Sequence, residues 1–534
     1  MKHLLAIPLL VALAGALAAA EQGDALAQAR RLHHERKYTE TIEKAMGVAR
    51  SPKEDRQRRA AAFALAAHTY VTIGCLDRAI ATWQEALLAL GDAPEFAAAA
   101  WHAIAQAHVQ SGDYAQAASL LEKAVAELDL AKLPMARRAE LLGLLASCRE
   151  RLDQPLAALA AYQALAAFPD AQAAQKAPFL ARAARLHAAL HQFDQARQCL
   201  PPLEEQLEDA EVAQEAASAY EELMEKLAAA GHGEQLRTVC RKVIALFVSR
   251  DVSTAQAALR RLLRLAADDG EKLDLLGQLD DREIQVIAED DILERLVVAA
   301  VRQERTADLV RACTRAMLAK PLDESSATDC LQALTKLRLR EGRSDAALAA
   351  AAAIYAISGF GYPSSSRFTS SVEFVARALR ARDGHLATGN AFRRYQVHGP
   401  AGPDGKPGTD DDIANPLADV AYKPEPEIDK LFQAALEAQP PTVDGHRKRA
   451  WIHLLAYRPK AALAELKRAF ALCALDSSEL AQAAQDIAIG LKALRATPVG
   501  MDDFAEFQKY GPNGRDGKPD TKDDLKDPLA GLEP

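Results

Sequence analysis

The chain has 534 residues, more than one hydrophobic core normally organises, so several domains or an elongated repeat array are expected. Alanine and leucine dominate, aromatics make up 5%, and the net charge of −9 lacks the basic excess of a nucleic-acid binder. The basic clusters Arg56–Arg59 and Gly445–Arg449 are short, flanked by acids or apolar helix, and read as solvated helix faces.

The N-terminus carries a basic residue, Lys2, an apolar run from Leu4 to about Leu17, and small residues at Ala18 and Ala20. This is the layout of a signal peptide, residues 1–20, cleaved near Ala20-Glu21. The run is short for a membrane span and no second one follows, so the mature chain is expected to have no transmembrane span. It is expected to be exported, to the periplasm or outside the cell. Seven cysteines lie far apart without a CxxC pair. They predict neither a disulfide framework nor a zinc site, and most fall in helical patterns as small apolar residues.

From residue 24 to about 250, apolar residues recur at i, i+3, i+4 and i+7 between short polar breaks, which predicts helix after helix. Ala67, Gly74, Ala79 and Ala86 are spaced like Ala105, Gly112, Ala117 and Ala124, 38 residues later. Weaker units run through Ala146, Asp153, Ala158 and Tyr162, then Ala184, His191, Ala196 and Leu200. Small residues let paired helices approach closely, and the glycines end the first helix of each pair in a left-handed cap. One hairpin cannot bury its apolar face alone, so the prediction is all-α: an α-solenoid of stacked antiparallel helical hairpins.

At Ala66–Leu87 and Ala103–Val125 the sequence resembles the tetratricopeptide repeat (TPR) family. The match is clear over residues 60–125, degenerate to about 205, and its period exceeds the family's 34. The resemblance implies a curved solenoid that binds a peptide or protein segment on its concave face. The expected divisions are TPR-like repeats over 21–205 and degenerate helical repeats over 206–327.

Two copies of one module are expected at 328–420 and 443–534, joined by a helical connector at 421–442. Residues 392–418 and 504–530 align without a gap at an offset of 112, with 15 of the 27 positions identical. Upstream, Gly342–Ser358 matches Tyr457–Cys473 at an offset of 115, pairing Ala347 with Ala462 and Tyr355 with Phe470. Ser365-Ser366 and Ser477-Ser478 each fit a helix N-cap.

Each module ends in a Gly-Pro-Asp loop with two readings. Asp404, Asp410, Asp411 and Asp412 in the first copy, and Asp516, Asp520, Asp523 and Asp524 in the second, supply hard oxygen ligands for calcium. The pattern resembles the calcium loops of thrombospondin type 3 and dockerin repeats, but the alternating D-x-D-x-D-G run is missing. The structural reading needs no metal: Thr409 and Thr521 stand three residues before Asp412 and Asp524, a capping-box layout that starts a helical turn. Phe392, Tyr395, Phe504 and Phe507 are then expected to anchor the loops.

The phosphate-loop, dinucleotide, zinc-protease and nucleophile-elbow motifs are all missing from the sequence, and His33-His34 are adjacent and cannot share a metal on one helix face. The leading expectation is a non-enzymatic scaffold that binds a protein or peptide partner in the cell envelope. A calcium-stabilised surface protein is the alternative.

Overall fold

The computed structural model describes residues 24–169, 171–358, 366–383, 386–398, 401–404, 408–420, 425–473 and 478–495, with 506–507, 509–510, 513–515 and 524–525 near the C-terminus. Among them every regular element is helical, and the chain divides into two compact units, 1–232 and 233–534.

In the first unit the helices are α1 Ala25–His34, α2 Tyr38–Arg50, α3 Arg56–Thr72, α4 Leu76–Leu90, α5 Pro94–Gln110, α6 Tyr114–Glu127, α7 Met135–Arg151 and α8 Pro155–Ala166. They continue with α9 Ala173–Ala189, the short α10 Phe193–Gln198 and α11 Pro201–Glu204, and α12 Ala210–Ala229. Each helix through α9 packs on the next, α1 also meets α3, α5 meets α7, and α9 reaches past the short pair to α12. This is the TPR-like stack of antiparallel hairpins. The small markers sit at the contacts: Ala67, Ala79, Ala86, Ala105, Ala117 and Ala124 are all fully buried.

The hairpin turns share one device. Gly74, Gly112, Asp153 and His191 all have positive φ, 77°, 84°, 57° and 59°, at spacings of 38, 41 and 38 residues. In each, the following residue's N–H reaches back to a carbonyl five positions earlier, as in Cys75 to Tyr70 at 2.8 Å and Gln154 to Arg149 at 2.9 Å. That is the Schellman closure of a helix end. Arg36 at 60° closes the first hairpin of this unit, and Gly231 at 73° closes the end of α12, in the same way.

The second unit comprises α13 Gly233–Phe247, α14 Val252–Leu265, α15 Asp269–Gln278, α16 Asp290–Arg302, α17 Thr306–Ala319, α18 Glu324–Arg340 and α19 Ser344–Ile357. It continues with α20 Ser366–Asp383, α21 Leu386–His398, α22 Pro426–Glu437, α23 Val443–Leu455, α24 Pro459–Leu472 and α25 Ser478–Arg495. Asp251, Asp268, Asp323 and Thr442 cap helix starts with side-chain oxygens on backbone N–H groups. Glu304, Gly342 and Tyr457, at 55°, 73° and 43°, make left-handed turns of the same kind here, and Leu322 is left-handed at 69°.

The segment between the similar stretches is the helix α22, which packs on α17 and α23. Glu425, at its N-cap, accepts from both Arg338 and Arg343 at 2.9 Å, and Arg458 pairs with Asp429 at 2.6 Å. The alanine-rich helix α19 lies among its neighbours on every side: Ala347 to Ile357 are all buried, and α18, α20, α23 and α25 surround the helix. Ser366 and Ser478 begin α20 and α25, while the caps expected at Ser365 and Ser477 lie outside the described residues.

The seven cysteines, all among the described residues, form no disulfide, and Cys148, Cys240, Cys313 and Cys330 are buried. Burial pushes the Cys240 thiol up to about 12, so it behaves as a small apolar group. None of the described helices is long and apolar enough to cross a membrane.

Candidate binding groove in the N-terminal unit

A cavity of 560 Å³ opens along the first helices of successive hairpins, α1, α3, α5, α7 and α9. Its lining follows from the turns. Counted back from each left-handed residue, the sixth position gives Arg30, His68, Gln106 and Ser147. The ninth gives Leu65, Ala103, Leu144 and Arg182, the tenth Ala64, His102 and Gly143, and the thirteenth Ala61, Ala99, Glu140 and Pro178. Steps of three and four residues select one face of a helix, so stacked hairpins repeat that face side by side. Alanine and glycine at these places leave the volume open. From the second helices Trp83 and Tyr162 reach the wall, and Tyr162 stacks on Phe179 with ring centroids 6.4 Å apart.

The wall is apolar with a few placed polar groups. Gln106, Gln110 and Ser147 offer amide and hydroxyl hydrogen bonds. Burial lowers the pKa of both His68 and His102, with Glu140 opposing the shift at His102, so both imidazoles are neutral near pH 7. Glu140 is paired with Arg137 at 2.5 Å. Tyr162 donates to Glu150 at 2.5 Å and receives a bond from Arg182 at 3.4 Å; burial and that carboxylate push the phenol pKa upward. Arg182 also lies 3.9 Å from Glu150. The arrangement offers shape, apolar surface and hydrogen bonds to a bound chain.

The acidic residues singled out from the sequence lie elsewhere. In the first loop Asp411 is the hub: its Oδ2 accepts from the Asp404 N–H at 3.0 Å and its Oδ1 from the Thr409 hydroxyl at 2.5 Å. These donors hold its carboxyl below the usual range. Asp412 accepts from the Gly408 N–H at 2.7 Å, and Asp410 is exposed. Gly402, at φ 63°, lies so close to the returning strand of chain that a Cβ would stand 2.1 Å from the Asp411 carbonyl oxygen.

The capping-box expectation is corrected here. The Thr409 hydroxyl donates to carboxylates instead of capping an N–H, and residues 412–415 are not helical. The short bond to the Asp411 carboxylate is charge-assisted and fixes the direction of that hydroxyl. Asp516, Asp520 and Asp523 lie outside the described residues, as do Phe504 and Thr521, and Asp524 is exposed. Among the described residues no three His, Cys, Asp or Glu side chains are placed to hold a metal ion.

Phe392 and Tyr395 are buried as expected, yet their partners are other helices. Phe392 packs edge-on against Tyr355 of α19 at 5.7 Å, and the Tyr395 hydroxyl donates to the Arg495 carbonyl of α25 at 2.9 Å. The groove residues were not singled out from the sequence. The signal was present, because counting back from Gly74 and Gly112 finds them.

The fold defines a TPR-like helical repeat protein. No family model matches the chain, and no curated protein matches its sequence. Among solved structures, yeast Tom70 is 12% identical, with 88% of this chain and 94% of that chain covered and a TM-score of 0.19. The TPR domain of P58(IPK) is 11% identical, with 88% and 98% covered and a TM-score of 0.19. The human IFIT1 dimer with m7Gppp-AAAA is 12% identical, with 84% and 89% covered and a TM-score of 0.22. The TPR-like fold follows from the hairpins of this chain itself.

Proposed function

We propose that this chain is an exported, non-enzymatic TPR-type scaffold that holds a peptide segment of a cell-envelope protein in the groove of its first unit. The observation behind this reading is the repeated register: five successive hairpins turn the same helix positions toward one continuous cavity. A largely preformed apolar cleft with a few convergent polar groups is what a bound segment requires. Export is supported by the basic, apolar and small-residue order of residues 2–20. The Asp-rich loops take a structural part, since Asp411 already closes the first of them.

Site-specific photo-crosslinking in the native envelope tests this. A probe at Ala103, on the groove floor, should capture one partner, and Ala103→Trp should abolish its binding without changing helix content. Equal capture from a probe at Leu88, which is 92% exposed and outside the groove, would show that the groove does not select the partner. Sequencing the mature N-terminus checks the export step; a retained residue 1 would remove it.

A further inference from the structure

The groove's charges are settled with one exception. Glu140 is paired with Arg137, and Arg182 is held by Glu150 and Tyr162. Arg30, at the α1 edge, is half-buried in the groove wall, and among the described residues it makes neither an ion pair nor a hydrogen bond. Its nearest equivalent on the same register is His68, a neutral ring with no negative charge to give. A guanidinium partly removed from water and left without a counter-ion is costly, and a carboxylate satisfies it with two parallel hydrogen bonds.

We infer that the segment held in this groove presents an aspartate or glutamate side chain to Arg30 and apolar side chains to the alanine floor beyond it. This rests on the groove being the docking site. The groove floor includes Ala61, Ala64, Ala99 and Ala103, whose small side chains leave space that a partner's larger apolar side chains can fill. Gln106 and Ser147 continue the Arg30 row with neutral donors and acceptors suited to a peptide backbone. The specific element is therefore a single ion pair at one end of an apolar track. The chain's own charge of −9 gives no general attraction for acidic peptides, so recognition is local.

The test is selection of short peptides with amidated C-termini from a combinatorial library on the mature chain. Selected peptides should share one Asp or Glu next to apolar residues. Arg30→Gln should weaken them by about tenfold to a hundredfold, the size of a charge-assisted hydrogen bond. The same peptides with that acid replaced by its amide should bind both proteins about equally, since the pair is then already broken. Peptides without an acidic preference, bound equally by Arg30→Gln, would overturn this inference and leave the groove standing. Binding that survives Ala103→Trp, or no selection at all, would overturn both.

Discussion

Exchanging the residues at the hairpin turns separates backbone conformation from packing. Gly74 and Gly112 have φ of 77° and 84°, and a Cβ built on either meets nothing within 4 Å. Alanine there adds no clash, so its penalty is only that of an L-residue in the left-handed region, about 1–2 kcal/mol. The smaller entropy of the unfolded alanine chain returns part of this, about 0.4–1 kcal/mol, for a net loss near 1 kcal/mol. Gly445 is the contrast: its Cβ would stand 1.9 Å from the Pro440 carbonyl oxygen, so Gly445→Ala must move backbone and should cost several times more. In the opposite direction, His191→Gly and Glu304→Gly relieve φ of 59° and 55° and should be neutral to slightly stabilising. Asp153→Gly should gain least, because aspartate tolerates this region. Urea midpoints give the stability order. Hydrogen exchange at the Cys75 and Asp113 amides, which donate to Tyr70 and His108 at 2.8 and 2.9 Å, reports the turns themselves. A loss at Gly74→Ala equal to that at Gly445→Ala, or no loss at all, would refute the conformational account.

Two further outcomes are expected. Lys492 is 2% exposed, its Nζ donates to the Tyr355 carbonyl at 2.8 Å and lies 4.6 Å from the Tyr355 ring centroid, and burial lowers its pKa to about 7. The unfolded lysine keeps its proton to about pH 10.4, so the unfolded chain binds the extra proton between those values and stability rises with pH across that window. From pH 7 to 9 the rise should be at most about 3 kcal/mol, and Lys492→Met should flatten it; a wild-type profile without this slope would count against the depressed pKa. In the first Asp-rich loop, Asp411→Asn should expose residues 404–412 to proteolysis. The lowered Asp411 pKa makes its contribution present above the unfolded value near 3.9 and lost as pH falls through the folded one. Calcium should leave the melting temperature unchanged. A calcium-dependent rise abolished by Asp411→Asn would instead assign Asp404, Asp410, Asp411 and Asp412 to an ion.

The hairpin markers were readable because alanine and glycine at fixed spacing do one local job each: close helix approach and a left-handed cap. Arg36, Glu304 and Tyr457 perform the same turn without glycine and leave no such mark, because the Schellman hydrogen bond and the packing of the two helices hold them there. The loop chemistry was misread at Thr409 for a related reason. Spacing alone cannot say whether a hydroxyl meets an N–H or a carboxylate, and the fold around Gly402 brings Asp411 to it.

By itself, then, the sequence determined the helices, their antiparallel pairing and the period of the first unit, since these follow from local periodicity and small-residue contacts. Only the tertiary structure decided which faces stay open. Stacking turned four register positions into a groove, left Arg30 in its wall without a counter-ion among the described residues, and sealed Lys492 against Tyr355, because each depends on side chains that are 30 to more than 100 residues apart in the chain.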